Sequence, residues 1–178
     1  MRETEIYLID KSGMVRTIRR KFKPASRPKG GAEAVFIPIN KKVGLKGFAI
    51  RKEARSAMNR QKRAAKYGVG PKVLSDETFE VIMPVGGTYL SSANGWLSLR
   101  RAPNYKKKHR RLYAYKTEVV PKLFNTNAYF AYGKYEAKYE KLITIMEERG
   151  LSLSDVHAKN IGMIKGRMVA LDFGDLSS

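Results

Sequence analysis

Between Ala34 and Pro71 the pattern of the chain changes twice, and few folds accommodate both changes. Ala34-Val35-Phe36-Ile37-Pro38-Ile39 and Val43-Gly44-Leu45-Lys46-Gly47-Phe48-Ala49-Ile50 are apolar runs of strand length joined at Asn40-Lys41-Lys42, as in a β-hairpin. From about Arg51 to Tyr67 the residues become Ala, Arg, Lys, Gln, Met and Glu, good helix formers, and Gly68-Val69-Gly70-Pro71 ends the run. The pattern predicts one helix directly after a hairpin. Val73-Leu74 and Phe79-Glu80-Val81-Ile82-Met83 read as further strands, and Pro84-Val85-Gly86-Gly87 as a connector.

Composition narrows the class. The chain has 178 residues, 43% of them hydrophobic, enough to bury the core of one compact domain or of one domain in two small lobes. It has no cysteine, which excludes a disulfide scaffold, thiolate zinc sites, iron–sulfur clusters and a cysteine nucleophile, and leaves a reducing cytoplasm as the expected compartment. No apolar run approaches the roughly 18 to 20 residues of a membrane span. Met1-Arg2-Glu3-Thr4-Glu5 does not read as a leader, so a protein with no membrane partner is expected.

Charge narrows the partners. Thirty-six Lys and Arg against sixteen Asp and Glu give a net charge of +20, an attraction for nucleic acid, anionic substrates or acidic protein faces. Two clusters stand out. Lys11, Arg16, Arg19, Arg20, Lys21, Lys23, Arg27 and Lys29 read as a basic strand or arm, and Arg100, Arg101, Lys106, Lys107, Lys108, Arg110 and Arg111 lead into Leu112-Tyr113-Ala114-Tyr115. Tyr105, Tyr113 and Tyr115 among these cations suit base stacking, with core or interface packing as the alternative.

The second half of the chain reads as mostly helical. Tyr135, Tyr139, Leu142 and Met146 recur at spacings of four, three and four, one face of a helix that Gly150 could cap; a core stripe explains them better than an aromatic ligand box.

Chemistry concentrates near Asp155. The apolar tetrads Ile161 to Ile164 and Met168 to Leu171 flank Lys165-Gly166-Arg167, which reads as a three-residue hairpin loop. Symmetry about Gly166 would set Ile161 opposite Leu171, and Asn160 beside Asp172 with Cα atoms ~5 Å apart. An amide oxygen and a carboxylate so placed suit Mg²⁺, which fills the rest of its shell with water or phosphate.

At these residues the chain resembles the protein-kinase-like phosphotransferase superfamily. Asp155-Val156-His157-Ala158-Lys159-Asn160 is similar to the catalytic loop, with Asp and Asn spaced as D-x-x-x-x-N, and Leu171-Asp172-Phe173-Gly174 to the metal-binding D-F-G. His157, two residues after the Asp, is closer to small-molecule kinases of the aminoglycoside type and to bacteriophage-encoded serine/threonine kinases. Val43-Gly44-Leu45-Lys46 resembles V-A-I-K, and Glu53 is the acidic residue placed to pair with Lys46; an edge-strand charge and a helix-dipole partner are the alternative readings. Gly30 and Gly31 take the place of the glycine-rich loop without its full motif, or form a plain turn. Backbone groups from Met83 to Val85 would hold adenine.

The resemblance implies an α+β, protein-kinase-like fold: an antiparallel N-lobe sheet with one helix over residues 1–83, and a truncated, mostly helical C-lobe over 84–178 that ends just after the D-F-G. It implies transfer from ATP with Mg²⁺. Asp155 would orient the attacking hydroxyl, Lys159 (or less readily His157, for which a structural hydrogen bond is the alternative) would approach the phosphoryl group, Asn160 and Asp172 would hold the metal, and Lys46 the phosphates. A protein Ser/Thr kinase acting on host proteins in the cytoplasm is the expected function. With Ser178 four residues past Gly174, no activation segment is expected, and the basic arm and the Arg100 to Arg111 cluster are the surfaces left for an acidic protein or ribonucleoprotein. The alternatives are a catalytically inactive kinase-like binder of a host partner and a basic nucleic-acid-binding protein.

Overall fold

In the computed structural model of the chain the described residues are 3–9, 15–21, 34–84, 109–124, 133–154 and 156–172. They form an α+β protein in two compact units, the first within residues 1–55 and 75–116 and the second within 56–74 and 117–178. These limits differ from a single cut after residue 83. None of the described helices is long and apolar enough to cross a membrane.

The first unit is built on a six-stranded sheet. Its strands are β1 (Glu3–Ile9), β2 (Val15–Lys21), β3 (Val35–Pro38), β4 (Val43–Phe48), β5 (Phe79–Pro84) and β6 (His109–Glu118), in the order β2-β1-β5-β6-β4-β3. The pairs β1–β2, β1–β5, β5–β6 and β3–β4 are antiparallel. Asn40 closes the predicted β3–β4 hairpin, its Oδ1 accepting from the backbone N–H groups of Lys42 and Val43, both at 2.8 Å. Ile37, Leu45, Val81, Leu112 and Ala114 pack as the apolar core on one sheet face.

Strand β6 was hidden in the sequence behind its basic start, and it overturns the expectation of a mostly helical second half. It lies between β5 and β4 and is buried on both faces: Leu112 and Ala114 on one, Tyr115 and Thr117 on the other. Tyr115 is fully buried and stacks on Phe48 with ring centroids 6.3 Å apart, so packing claims it. Val73, expected in a strand, makes only an isolated bridge to Thr117.

Helix α1 (Arg51–Lys66) follows β4 as predicted and passes from the first unit into the second. It ends on Gly68 at φ +74°, with the Gly68 N–H donating to the Ala65 carbonyl and the Val69 N–H to the Ala64 carbonyl. Helix α2 (Glu136–Glu148) ends the same way on Gly150, where the Leu151 N–H donates to the Met146 carbonyl at 2.8 Å. In both, a glycine in the left-handed region lets the chain double back and satisfy carbonyls the helix leaves open. Val69 and Leu151 then enter the core of the second unit with Ala64, Leu142, Met146, Ile161, Met168 and Ala170, while Tyr135 and Tyr139 pack partly buried against it.

One polar cluster is buried in this unit. Gln61, 1% exposed, donates through Nε2 to the Thr117 hydroxyl at 2.6 Å and the Pro71 carbonyl at 3.1 Å. Truncation removes the donor to the Pro71 carbonyl, while the Thr117 hydroxyl keeps its bond to the Lys72 carbonyl at 3.3 Å, so Gln61→Ala is expected to cost about 1–3 kcal/mol, read as a lower urea midpoint at unchanged m. A loss below about 0.5 kcal/mol would mean that water replaces the amide.

Candidate functional site

The second unit ends in the hairpin β7 (Ile161–Ile164) and β8 (Arg167–Ala170), whose register is Ile161↔Ala170 through Ile164↔Arg167. The loop has two residues, not three. Lys165 (φ +48°) and Gly166 (φ +78°) both adopt positive φ, the demand of the tight turn whose twist matches the flanking strands, and Arg167 therefore joins β8. The register shifts by one residue from the symmetric expectation: Ile161 faces Ala170 instead of Leu171. Asn160 is level with Leu171, and Asp172 lies one residue farther out.

This end of the hairpin is heavily tied. The Leu171 N–H donates to the Asn160 carbonyl at 2.7 Å, the Leu123 N–H to the Ile161 carbonyl at 2.8 Å, and the Ala170 N–H to the Val69 carbonyl at 2.9 Å. Lys122 forms a bridge with Gly162, and the passing strand segment explains the glycine: a Cβ there would sit 2.6 Å from Val120 Cγ1 and 2.9 Å from the Pro121 carbonyl oxygen. With Ile161, Val169 and Ala170 fully buried beneath, the Asn160 and Asp172 backbones leave a rigid base.

The approach to Asn160 is a one-turn 3-10 helix (Ala158–Asn160) closed by the Asn160 N–H donating to the His157 carbonyl at 2.8 Å. Ala158 is buried and Val156 packs against the core, anchoring the segment, while His157 between them is exposed. The His157 Nε2 lies 3.2 Å from the Asn160 Nδ2. The amide nitrogen of Asn160, not its Oδ1, is the atom that meets His157. A structural hydrogen bond of His157 to nearby backbone was the alternative expected; the contact found is with the Asn160 side chain. Asn160 and Asp172 are both half-buried. They are two hard oxygen donors, and no cluster of three or more His, Cys, Asp or Glu suited to a metal occurs among the described residues. Such a donor set fits Mg²⁺, which commonly takes one or two protein ligands and completes its shell with water and substrate phosphate. Lys159 is the middle residue of the 3-10 turn; Asp155 lies outside the described residues.

In the first unit Lys46 is only 7% exposed, on β4 directly opposite Phe36 of β3. Phe36 is 50% exposed and covers Gly44, where a Cβ would lie 2.4 Å from the ring. An aromatic ring and a buried ammonium therefore share one sheet face. Phe36 was legible in the sequence only as a strand residue; its position opposite Lys46 could have been read from a hairpin register centred on Asn40 to Lys42. Glu53 is half-buried in the first turn of α1. Beside it Arg51 bonds Glu80 at 3.2 Å and lies over the Tyr113 ring, 5.0 Å from its centroid.

Met83, expected at the end of a strand, lies in β5 and pairs with Arg110 of β6, and the strand runs one residue further, to Pro84, which was expected to open the connector. The strand next to that of Lys46 is β6, and the chain enters the second unit where β6 ends, at Thr117. Val85, Gly30 and Gly31 lie outside the described residues, as do Tyr105 and Asp175.

Comparison with known protein families, with curated proteins and with solved structures finds no match to this chain.

Proposed function

We propose that the chain is an ATP- and Mg²⁺-dependent phosphotransferase, a small protein serine/threonine kinase. The observation that carries the reading is the hairpin end: three segments of the second unit hydrogen-bond around Asn160 and Leu171, so the two oxygen donors of the D-x-x-x-x-N and D-F-G motifs leave one braced base. Rigid placement of charge is what phosphoryl transfer asks of a protein, since little covalent chemistry is left for it to do.

Lys46 would hold the α- and β-phosphates of ATP, and its burial strengthens that attraction because little water screens it. Phe36 would give the base an apolar surface, a role that its exposed ring suits better than the paired backbone of Met83. Glu53 would hold Lys46 in position. In the second unit Asn160 and Asp172 would hold Mg²⁺, which when bound neutralises charge on the phosphate oxygens. Asp155 would orient the attacking hydroxyl and accept its proton, and Lys159 would stabilise charge on the transferred group. An acidic protein is the substrate class that a chain of net charge +20 favours, and the cytoplasm, of the host if the chain is phage-encoded, is where it would act.

The test is transfer of labelled γ-phosphate from ATP with Mg²⁺ to an acidic protein, to proteins of a bacterial extract and to the chain itself. Label is expected on Ser or Thr of at least one acceptor and nowhere when Mg²⁺ is chelated. Label that stays in ATP throughout the panel would overturn the proposal, and nucleotide affinity indifferent to Mg²⁺ would point to an inactive kinase-like binder.

A further inference from the structure

Positive charge gathers among the described side chains of the second unit. Lys62, Arg63 and Lys66 are exposed on the last turns of α1, with Arg149 at the end of α2 and Arg167 at the start of β8. Contacts around Tyr67 and Gly68 draw the arginines together. Arg63 donates to the Arg149 carbonyl at 2.6 Å, the Arg149 guanidinium lies over the Tyr67 ring at 5.0 Å, and Arg167 rests against Gly68, where a Cβ would be 2.7 Å from its Nη1.

These partners are a carbonyl, a ring face and a backbone glycine. No carboxylate among the described residues lies within ion-pair distance of Arg63, Arg149 or Arg167. The arginines are therefore held in place without being neutralised by any described carboxylate, so their ordering entropy is already spent while their charge remains for a ligand. Capping α2 accounts for one donor of Arg63 and leaves the rest of that guanidinium unused by the cap.

We propose that this face binds the phosphodiester backbone of nucleic acid, without reading its sequence. A protein partner would need an apolar centre, and none of the residues named for this face is among the exposed large hydrophobics of the described residues, Phe36, Ile50 and Leu74. Fixed guanidiniums beside lysine are instead the groups that contact phosphate oxygens in series, replacing condensed counterions. This inference is independent of phosphotransfer, and it moves the nucleic-acid surface away from Tyr115, which the core has buried.

The experiment measures binding of a labelled 20-base-pair duplex and its single strand by anisotropy across a salt series, without ATP or Mg²⁺. The triple variant Lys66→Gln, Arg149→Gln, Arg167→Gln is expected to reduce the log–log salt slope by about three units and affinity by about tenfold or more. The control Lys41→Gln, Lys42→Gln, Lys52→Gln removes the same net charge from exposed positions of the first unit and is expected to leave the slope within about one unit. Single Arg167→Gln, with an unchanged thermal transition, is expected to remove about one unit and guards against misfolding of the triple. Equal slope losses in the two triples would reduce the effect to net charge and overturn the proposal. Competition by polyglutamate as strong as by unlabelled duplex at matched charge would also overturn it, in favour of an acidic protein.

Discussion

Asp172→Asn is expected to lower Mg²⁺-dependent transfer by about a thousandfold while leaving the thermal transition nearly unchanged. The amide keeps the shape and an oxygen but loses the charge that attracts the cation. Asp172 is half-buried one residue beyond the braced end of β8, so the ladder beneath it, from Ile161↔Ala170 outward, is untouched by the change. Asp172→Ala should act at least as strongly on transfer. The measurement is initial rate against Mg²⁺ concentration for both variants, beside calorimetric melting. If Asp172→Asn transfers at a rate near that of the parent chain, the carboxylate has a structural duty only and the metal reading of this hairpin fails.

Lys46→Met is expected to reduce transfer by about a hundredfold to a thousandfold and to weaken nucleotide binding in equilibrium dialysis by at least about tenfold. Methionine retains the length and apolar stem of the side chain, which matters at a site 7% exposed within the sheet. The alternative reading makes Lys46 a strand charge with no part in nucleotide binding, and on it nucleotide affinity stays where it was. Dialysis separates the two, with denaturant titration of the same variant checking that it stays folded.

The nucleotide-facing parts of this proposal were unevenly legible. Lys46 stood out in the sequence because a charge within an apolar strand needs a reason; the structure has it buried on β4, between β6 and β3. The strand from Phe79 to Met83 was legible from its apolar run, and only its last residue, Pro84, was assigned to the connector. What was invisible was β6. Its first residues are basic, and a central strand buried on both faces carries no simple alternation to betray it.

At the hairpin, sequence and structure divide the work by range. The apolar tetrads, the glycine turn and the two helix-ending glycines at 68 and 150 are local requirements of φ and of apolar spacing, so the order of residues alone determined that a hairpin and two helices would form and about where they would stop. The register was not local in the same sense. It turned on Lys165 accepting a positive φ so that a two-residue turn could match the strand twist, which a symmetric reading about Gly166 misses. Which segments brace Asn160 and Asp172 was decided only by tertiary structure. The Val69 carbonyl, the Leu123 N–H and the pass of Val120 and Pro121 over Gly162 come from positions tens of residues away, and their pairing depends on a core assembled from α1, α2 and the hairpin together. The same holds for the arginines at 63, 149 and 167, scattered in sequence and gathered because two helices end on glycines where β8 begins.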